Sequence, residues 1–290
     1  MRSFRRISLF LFTLSLALVS CNNSVGDSKT IYATFFPIYD MAQKIAGDKY
    51  EIKSLTPYGQ EPHDYEPTAK EIATMSSSPA VLLNGLGLDQ WSDFLNDELK
   101  RKCYVVTEGI ETQTVNGITD PHVWLSIKNA MKELANIKKV FTSIDFANKE
   151  YYEAKYSIEL ERFNELDKKY TEQLKGIKNK YLVVSHAAFG YLASDYGLEQ
   201  IYIAGLEPDA APTAKKMEEL IEKVKEHHVS TIFYEDAVSP DIAKKIAEEA
   251  NVKTEVLYTL ESIEEEDDGK VDYVSLMEDN LAKIVKAGNE

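Results

Sequence analysis

Cysteine, histidine and positive charge are all scarce in this chain. Its 290 residues hold two cysteines, five histidines and 33 Lys and Arg against 48 Asp and Glu, a formal charge of −15. So acidic a surface excludes electrostatic binding to nucleic acid or to anionic lipid. It would concentrate cations modestly, but charge alone specifies no metal. Two cysteines, Cys21 and Cys103, exclude a disulfide-stapled scaffold. Beyond residue 20 no apolar run is long enough to span a bilayer, and no phosphate-binding loop occurs, so neither a permease nor an ATPase is encoded here. There is no HExxH-type histidine pair, no low-complexity segment and no clear sequence repeat.

What is present begins at the N-terminus. Arg2, Arg5 and Arg6 precede an apolar stretch at 9–19, and Leu18-Val19-Ser20-Cys21 follows. Basic, apolar and small-residue segments in that order make an export signal, too short for a comfortable membrane span. The last four residues resemble a bacterial lipobox, which implies a signal at 1–20, cleavage before Cys21 and lipidation of Cys21. A plain secretory signal with a structural Cys21 is the alternative. Residues 22–29 are polar and aperiodic, as a tether between a membrane anchor and a folded body would be. Losing the three signal arginines would take the charge from −15 to −18. With Cys21 acylated no internal disulfide is possible, and Cys103, opening a β-rich run, is expected to be a buried small hydrophobe.

Patterning along residues 30–144 alternates strand and helix. Short β-rich runs at 30–35, 51–55, 79–83 and 103–106 are separated by helical segments at 38–46, after Thr68 and around Trp91 and Phe94. Thr68-Ala69-Lys70-Glu71 matches a capping box. The rhythm predicts a mainly parallel sheet flanked by helices. It then stops. Residues 146–174 contain no Gly or Pro, and Tyr152, Tyr156, Leu160, Phe163, Leu166, Tyr170 and Leu174 recur at steps of three and four. That predicts an amphipathic helix of 29 residues, roughly 40 Å long, with Asp145 and Gly176 at its ends. A long surface helix within one domain would read the same way. A second β-α series at 177–290 favours a bridge between two lobes, 30–144 and 177–290, with the connecting helix at 145–176.

Three histidines sit where apolar runs hand over to loops: Pro62-His63-Asp64, Pro121-His122-Val123 and Ser185-His186-Ala187. Imidazole is the commonest nitrogen ligand for borderline divalent metals. Separations of 59 and 64 residues require tertiary structure to assemble any site. His186 also follows a predicted strand, and parallel sheets bind ligands beyond the carboxyl ends of their strands. His227-His228 is read as structural, because adjacent helical residues diverge by about 100° and cations suit a helix C-terminus. Glu264 to Asp268 are five consecutive acids, read as a solvated loop.

Several ordered motifs carry a family resemblance over the whole mature length. They are Phe35-Phe36-Pro37-Ile38-Tyr39, Pro62-His63-Asp64-Tyr65-Glu66-Pro67, Asp120-Pro121-His122-Val123-Trp124-Leu125, His186-Ala187-Ala188-Phe189-Gly190-Tyr191-Leu192 and Ile232-Phe233-Tyr234-Glu235. The chain resembles the zinc and manganese solute-binding proteins of bacterial ABC transporters. The resemblance implies two Rossmann-like α/β lobes, one long connecting helix and a metal held in the cleft between lobes. It implies His63, His122 and His186 as ligands, with Glu261 as the fourth, from Leu257-Tyr258-Thr259-Leu260-Glu261-Ser262. Histidine at the third position marks the zinc-type members. The aspartate that some members carry near Tyr258 is missing, and 107–119 contains no histidine-rich loop. Three imidazoles and one carboxylate suit Zn²⁺, whereas Mn²⁺ prefers more oxygen. The implied role is extracytoplasmic, lipid-anchored zinc capture by a monomer that serves a separate permease and ATPase. Three readings compete: a manganese-binding member, a surface adhesin, and a zinc hydrolase with an open fourth position and Glu61 or Glu66 as base.

Overall fold

The computed structural model describes residues 29–208, 212–235 and 239–290. The predicted signal, Cys21 and tether residues 22–28 lie outside the described residues.

Two parallel sheets are built in succession along the chain. The first half runs β1 (Thr30–Ala33), α1 (Phe36–Ala46), β2 (Glu51–Ser54), α2 (Ala69–Met75), β3 (Val81–Leu83), α3 (Asp97–Lys100) and β4 (Cys103–Val105). A two-strand hairpin follows, β5 (Thr114–Val115) and β6 (Ile118–Thr119), and then α4 (Ile127–Ile144). After α5 (Lys149–Leu174) come β7 (Tyr181–Val184), α6 (Gly190–Tyr196), β8 (Glu199–Tyr202), α7 (Ala214–Glu226), β9 (Thr231–Tyr234), α8 (Asp241–Ala250), β10 (Lys253–Val256) and α9 (Tyr273–Asn289). The first sheet is ordered β2-β1-β3-β4 and the second β10-β9-β7-β8, with every pairing in both parallel. Counting strands within each half, both sheets read 2-1-3-4. The repeat that sequence similarity does not reveal therefore exists in topology.

Local chemistry explains the element boundaries. Pro37 sits in the first turn of α1, where its missing N–H costs nothing. Gly47 ends that helix at φ +54°, with a Cβ there only 2.1 Å from the Tyr151 hydroxyl. Thr68 and Glu71 form the expected reciprocal capping box. Ser126 caps α4 by accepting from the Asn129 amide.

The long helix is shorter than its periodicity predicts. Residues 146–148 form a 3₁₀ turn, and α5 proper has 26 residues. Asp145 does not cap α5. It instead accepts hydrogen bonds from Tyr152 Oη and Asn148 Nδ2, both at 2.7 Å, which pins the turn against the helix. The helix ends at Leu174, with Lys175 as its C-cap before Gly176. Nor is α5 a free rod. Phe163 stacks on Tyr273 of α9, with centroids 4.8 Å apart, and Tyr170 Oη donates to the Met277 carbonyl at 2.6 Å. One continuous core joins α1, α4, α5 and α9, and a separate one fills the space between the second sheet and α7 and α8. Each large side chain buried there contributes about 1.5–3 kcal/mol.

Two smaller expectations change. The segment around Trp91 is a 3₁₀ turn, Gln90–Phe94, with Phe94 90% exposed. Cys103 is only partly buried, because β4 is an edge strand.

Candidate metal centre

Four residues far apart in sequence meet between the two halves. His63 sits in a 3₁₀ turn, Pro62–Asp64, that follows β2 and is pinned by buried Pro62. His122 precedes another 3₁₀ turn, Val123–Leu125, buried throughout. His186 lies two residues beyond β7 at the start of the turn Ala187–Phe189. Glu261 comes from the loop after β10, directly behind Leu260, which holds φ +60°. A buried leucine in the left-handed region costs about 1–2 kcal/mol and needs support. Trp124 supplies it: its Nε1 donates to the Thr259 carbonyl at 2.8 Å, and Tyr273 Oη donates to the Trp124 carbonyl at 2.6 Å. The turn carrying His122 is thereby tied to the loop carrying Glu261.

The ligand-type atoms converge tightly. Glu261 Oε1 lies 3.1 Å from His63 Nε2, 3.2 Å from His122 Nε2 and 3.9 Å from His186 Nε2. His122 Nε2 is 3.1 Å from Nε2 of both His63 and His186. A tetrahedral shell with bonds of 2.0–2.1 Å has edges of about 3.3 Å. The four atoms thus outline one N3O tetrahedron around a point that a small divalent ion would fill.

Outer hydrogen bonds orient two of the rings. Asp120 Oδ1 accepts from His122 Nδ1 at 2.7 Å and from the His122 amide at 3.0 Å. Glu235 Oε1 accepts from His186 Nδ1 at 2.7 Å and also from Ser185 Oγ. The strand register explains the second contact. Val184 of β7 faces Phe233 of β9, so two residues further on His186 comes opposite Glu235. Both carboxylates hold a proton on Nδ1 and aim Nε2 at the centre, so that a bound metal would take the Nε2 lone pair. At His63 the outer nitrogen, Nδ1, faces Glu207 Oε2 at 3.8 Å, beyond hydrogen-bond distance.

Electrostatics without a cation are self-compensating. Burial opposes charge on His122, but hydrogen bonds to Asp120 and Glu261 and their charges push its pKa up to about 9. Burial likewise opposes ionised Glu261, yet hydrogen bonds from His122 and His63 and the nearby His186 hold it well below the usual carboxylate range. His122 and Glu261 form a buried ion pair in the space where a cation would sit.

All four predicted site residues are brought together. His227 and His228 are not among them. His227 caps α7 and stacks on Tyr181 with centroids 3.8 Å apart. Tyr258 lies outside the cluster, its amide donating to Asn280 Oδ1. Glu264 to Asp268 form an exposed turn. Sequence reasoning assigned no role to Asp120, Glu235 or Trp124, although each stands inside a quoted motif. Carboxylate two residues before histidine, and carboxylate at the end of a strand, were the available signals.

The family described as "Zinc-uptake complex component A periplasmic" (ZnuA) matches residues 31–287. The chain belongs to the ZnuA family. Among its relatives is the zinc-binding lipoprotein AdcA of Streptococcus pneumoniae, 37% identical over 97% of this chain and 60% of that protein. The high-affinity zinc uptake system protein ZnuA of Bacillus subtilis is 35% identical over 94% of both chains. The Zn(II)-bound ZnuA-like domain of the pneumococcal AdcA superposes with a TM-score of 0.81 at 36% identity, covering 91% of this chain and all of that domain. Laminin binding protein (Lmb) of Streptococcus agalactiae, a bifunctional protein with adhesin and metal transporting activity, gives 0.84 at 28% identity over 90% of this chain and 99% of that one. This chain therefore spans 60% of the AdcA lipoprotein and nearly all of the single ZnuA-like unit. ZnuA-like structures share its two α/β lobes and long connecting helix.

Proposed function

We propose that this protein captures Zn²⁺ outside the cytoplasm and delivers it to an ABC-type permease with a separate ATPase. The single observation that carries the reading is the N3O tetrahedron of His63, His122, His186 and Glu261. Its edges and donor set suit zinc, whereas manganese favours more oxygen ligands and a higher coordination number. Two ligands come from the half before α5 and two from the half after it, so one ion would join lobes 30–144 and 177–290 across the connecting segment 145–176. The ion is cargo, held by a shell without an open position for a substrate. That argues against hydrolysis. An adhesin role, as Lmb has, finds no supporting feature in this chain.

Anchoring through Cys21 to a bacterial membrane is part of the same proposal, supported by the Leu18-Val19-Ser20-Cys21 order. No helix among the described residues is long and apolar enough to cross a membrane. The test is metal analysis of protein purified without chelators, followed by competitive chelator titration. One zinc per chain, lost in His122→Ala, is expected. Manganese at one per chain in preference to zinc would overturn the reading.

A further inference from the structure

One contact between the two halves reaches the base of the β5–β6 hairpin. Thr114 pairs with Thr119 and Val115 with Ile118, so Gln113 and Asp120 are the next antiparallel pair. The Asp120 amide donates to the Gln113 carbonyl at 3.0 Å, one of the two bonds that such a pair exchanges. The returning bond runs through a side chain. Tyr191 Oη, from α6 in the second half, accepts from the Gln113 amide at 2.9 Å and donates to the Asp120 carbonyl at 2.8 Å. Its ring is 3% exposed and packs in one small cluster with Ile110 and Val123 of the first half. Gly190, beside it, lets α6 come this close: a Cβ there would lie 3.2 Å from Asp120 Oδ2 and 3.4 Å from Gln113 Oε1.

Asp120 is the residue that orients His122, accepting from both its Nδ1 and its amide. It therefore takes part of its own position from a residue of the other half. We propose that Tyr191 is a positioning residue for the metal centre, holding Asp120, and through it the His122 ring, while the two halves are closed. Parting them would withdraw the phenol, give the Gln113 amide and the Asp120 carbonyl to water, and loosen the aim of His122 Nε2. The phenol acts through Asp120, as outer hydrogen-bond partners do in metal sites. Tight binding and closure are then linked in both directions, because a closed state that favours the ion is favoured by the ion in turn. This rests on the zinc reading of the centre, so zinc loading is measured in the same samples.

The full chain is loaded with one zinc, and release into excess chelator is followed by stopped flow. Tyr191→Phe keeps the packed ring and deletes only the hydroxyl, so release should accelerate about tenfold. Tyr196→Phe is the control. Its hydroxyl, on the same helix, donates to Asp167 of α5 at 2.7 Å, and its loss should leave release at the wild-type rate. Nitrogen-15 NMR of the zinc-loaded proteins reads the mechanism. The His122 Nδ1–H resonance should shift in Tyr191→Phe, while that of His186, held by Glu235, stays in place. Circular dichroism melting shows that each variant is folded. Unchanged release, faster release with an unmoved His122 resonance, or the same acceleration in Tyr196→Phe would overturn the positioning role alone. A wild type that takes up no zinc would sink both readings.

Discussion

Zinc must evict a proton from His122 at neutral pH, and this can be measured. Folding raises the His122 pKa to about 9, against 6.5 for a free imidazole, because Asp120 and Glu261 accept from its two nitrogens. At pH 7 the proton is favoured by about a hundredfold, so apparent zinc affinity is lowered by that factor, or ~3 kcal/mol. Affinity should rise about tenfold from pH 7 to pH 8 and level off above pH 9. At acid pH, where all three imidazoles compete, the limiting slope should approach about three decades per unit. Chelator competition across pH 6–9.5 gives the slope. Calorimetry at pH 7.5 in buffers of different ionisation enthalpy counts the released proton. Asp120→Asn removes the charged acceptor, so it should flatten the slope between pH 7 and 9 while weakening zinc about 10–100-fold through lost ring orientation. The metal-free protein should show the opposite sign. The raised His122 pKa contributes stability below about pH 6.5 that is lost as pH rises through 9, and the lowered Glu261 pKa contributes stability lost as pH falls below 4.5. The ion pair thus stabilises the metal-free protein most between about pH 4.5 and 6.5, a range in which zinc already binds more weakly than at neutral pH. Zinc affinity that is flat from pH 7 to 9, with no proton released, would refute the whole account.

Other expectations follow from single contacts. Glu261→Ala should weaken zinc, His186→Ala should weaken it further, and His227→Ala should leave the titration unchanged; equal affinities for wild type and Glu261→Ala would reopen the fourth ligand. Glu133 is fully buried in α4, and burial pushes its pKa up to about 8. Its cost to folding grows as pH rises from 4.5 to 8, so Glu133→Gln should gain stability over wild type by about 1.4 kcal/mol per pH unit in that window. Parallel melting temperatures for the two proteins across it would contradict this. Trp124→Phe strips the donor from the buried Thr259 carbonyl and should cost about 1–3 kcal/mol in denaturant unfolding, with weaker zinc binding as Glu261 loses its tether. Cys21→Ser should abolish acylation without changing zinc affinity, and acyl labelling that persists in this variant would exclude Cys21 as the anchor.

Much of the architecture follows from period and punctuation alone. Alternating β-rich runs and capped helices specify parallel α/β halves, because each pattern permits only one way to bury its apolar face. The capping box at Thr68 and the long periodic stretch around Phe163 were legible for the same reason. Boundaries were less so: Asp145 looked like a cap, but its carboxylate is more stably engaged by Tyr152 and Asn148 than by a helix amide. Scarcity made His63, His122 and His186 stand out, and flanking motifs raised Glu261. Their convergence was implied by the family resemblance and not by anything local, since nothing in the chain nearby relates residues 59 or 64 positions apart. The parallel register of β7 and β9 sets Glu235 opposite His186, and Trp124 reaches across to Thr259 to hold Leu260 at a backbone angle its own side chain disfavours. These contacts depend on strand register and core packing, which are properties of the whole chain. Residue types and spacing therefore determined which chemistry was available. The assembled tertiary structure decided where four donor atoms meet, and which carboxylates keep their lone pairs pointed inward.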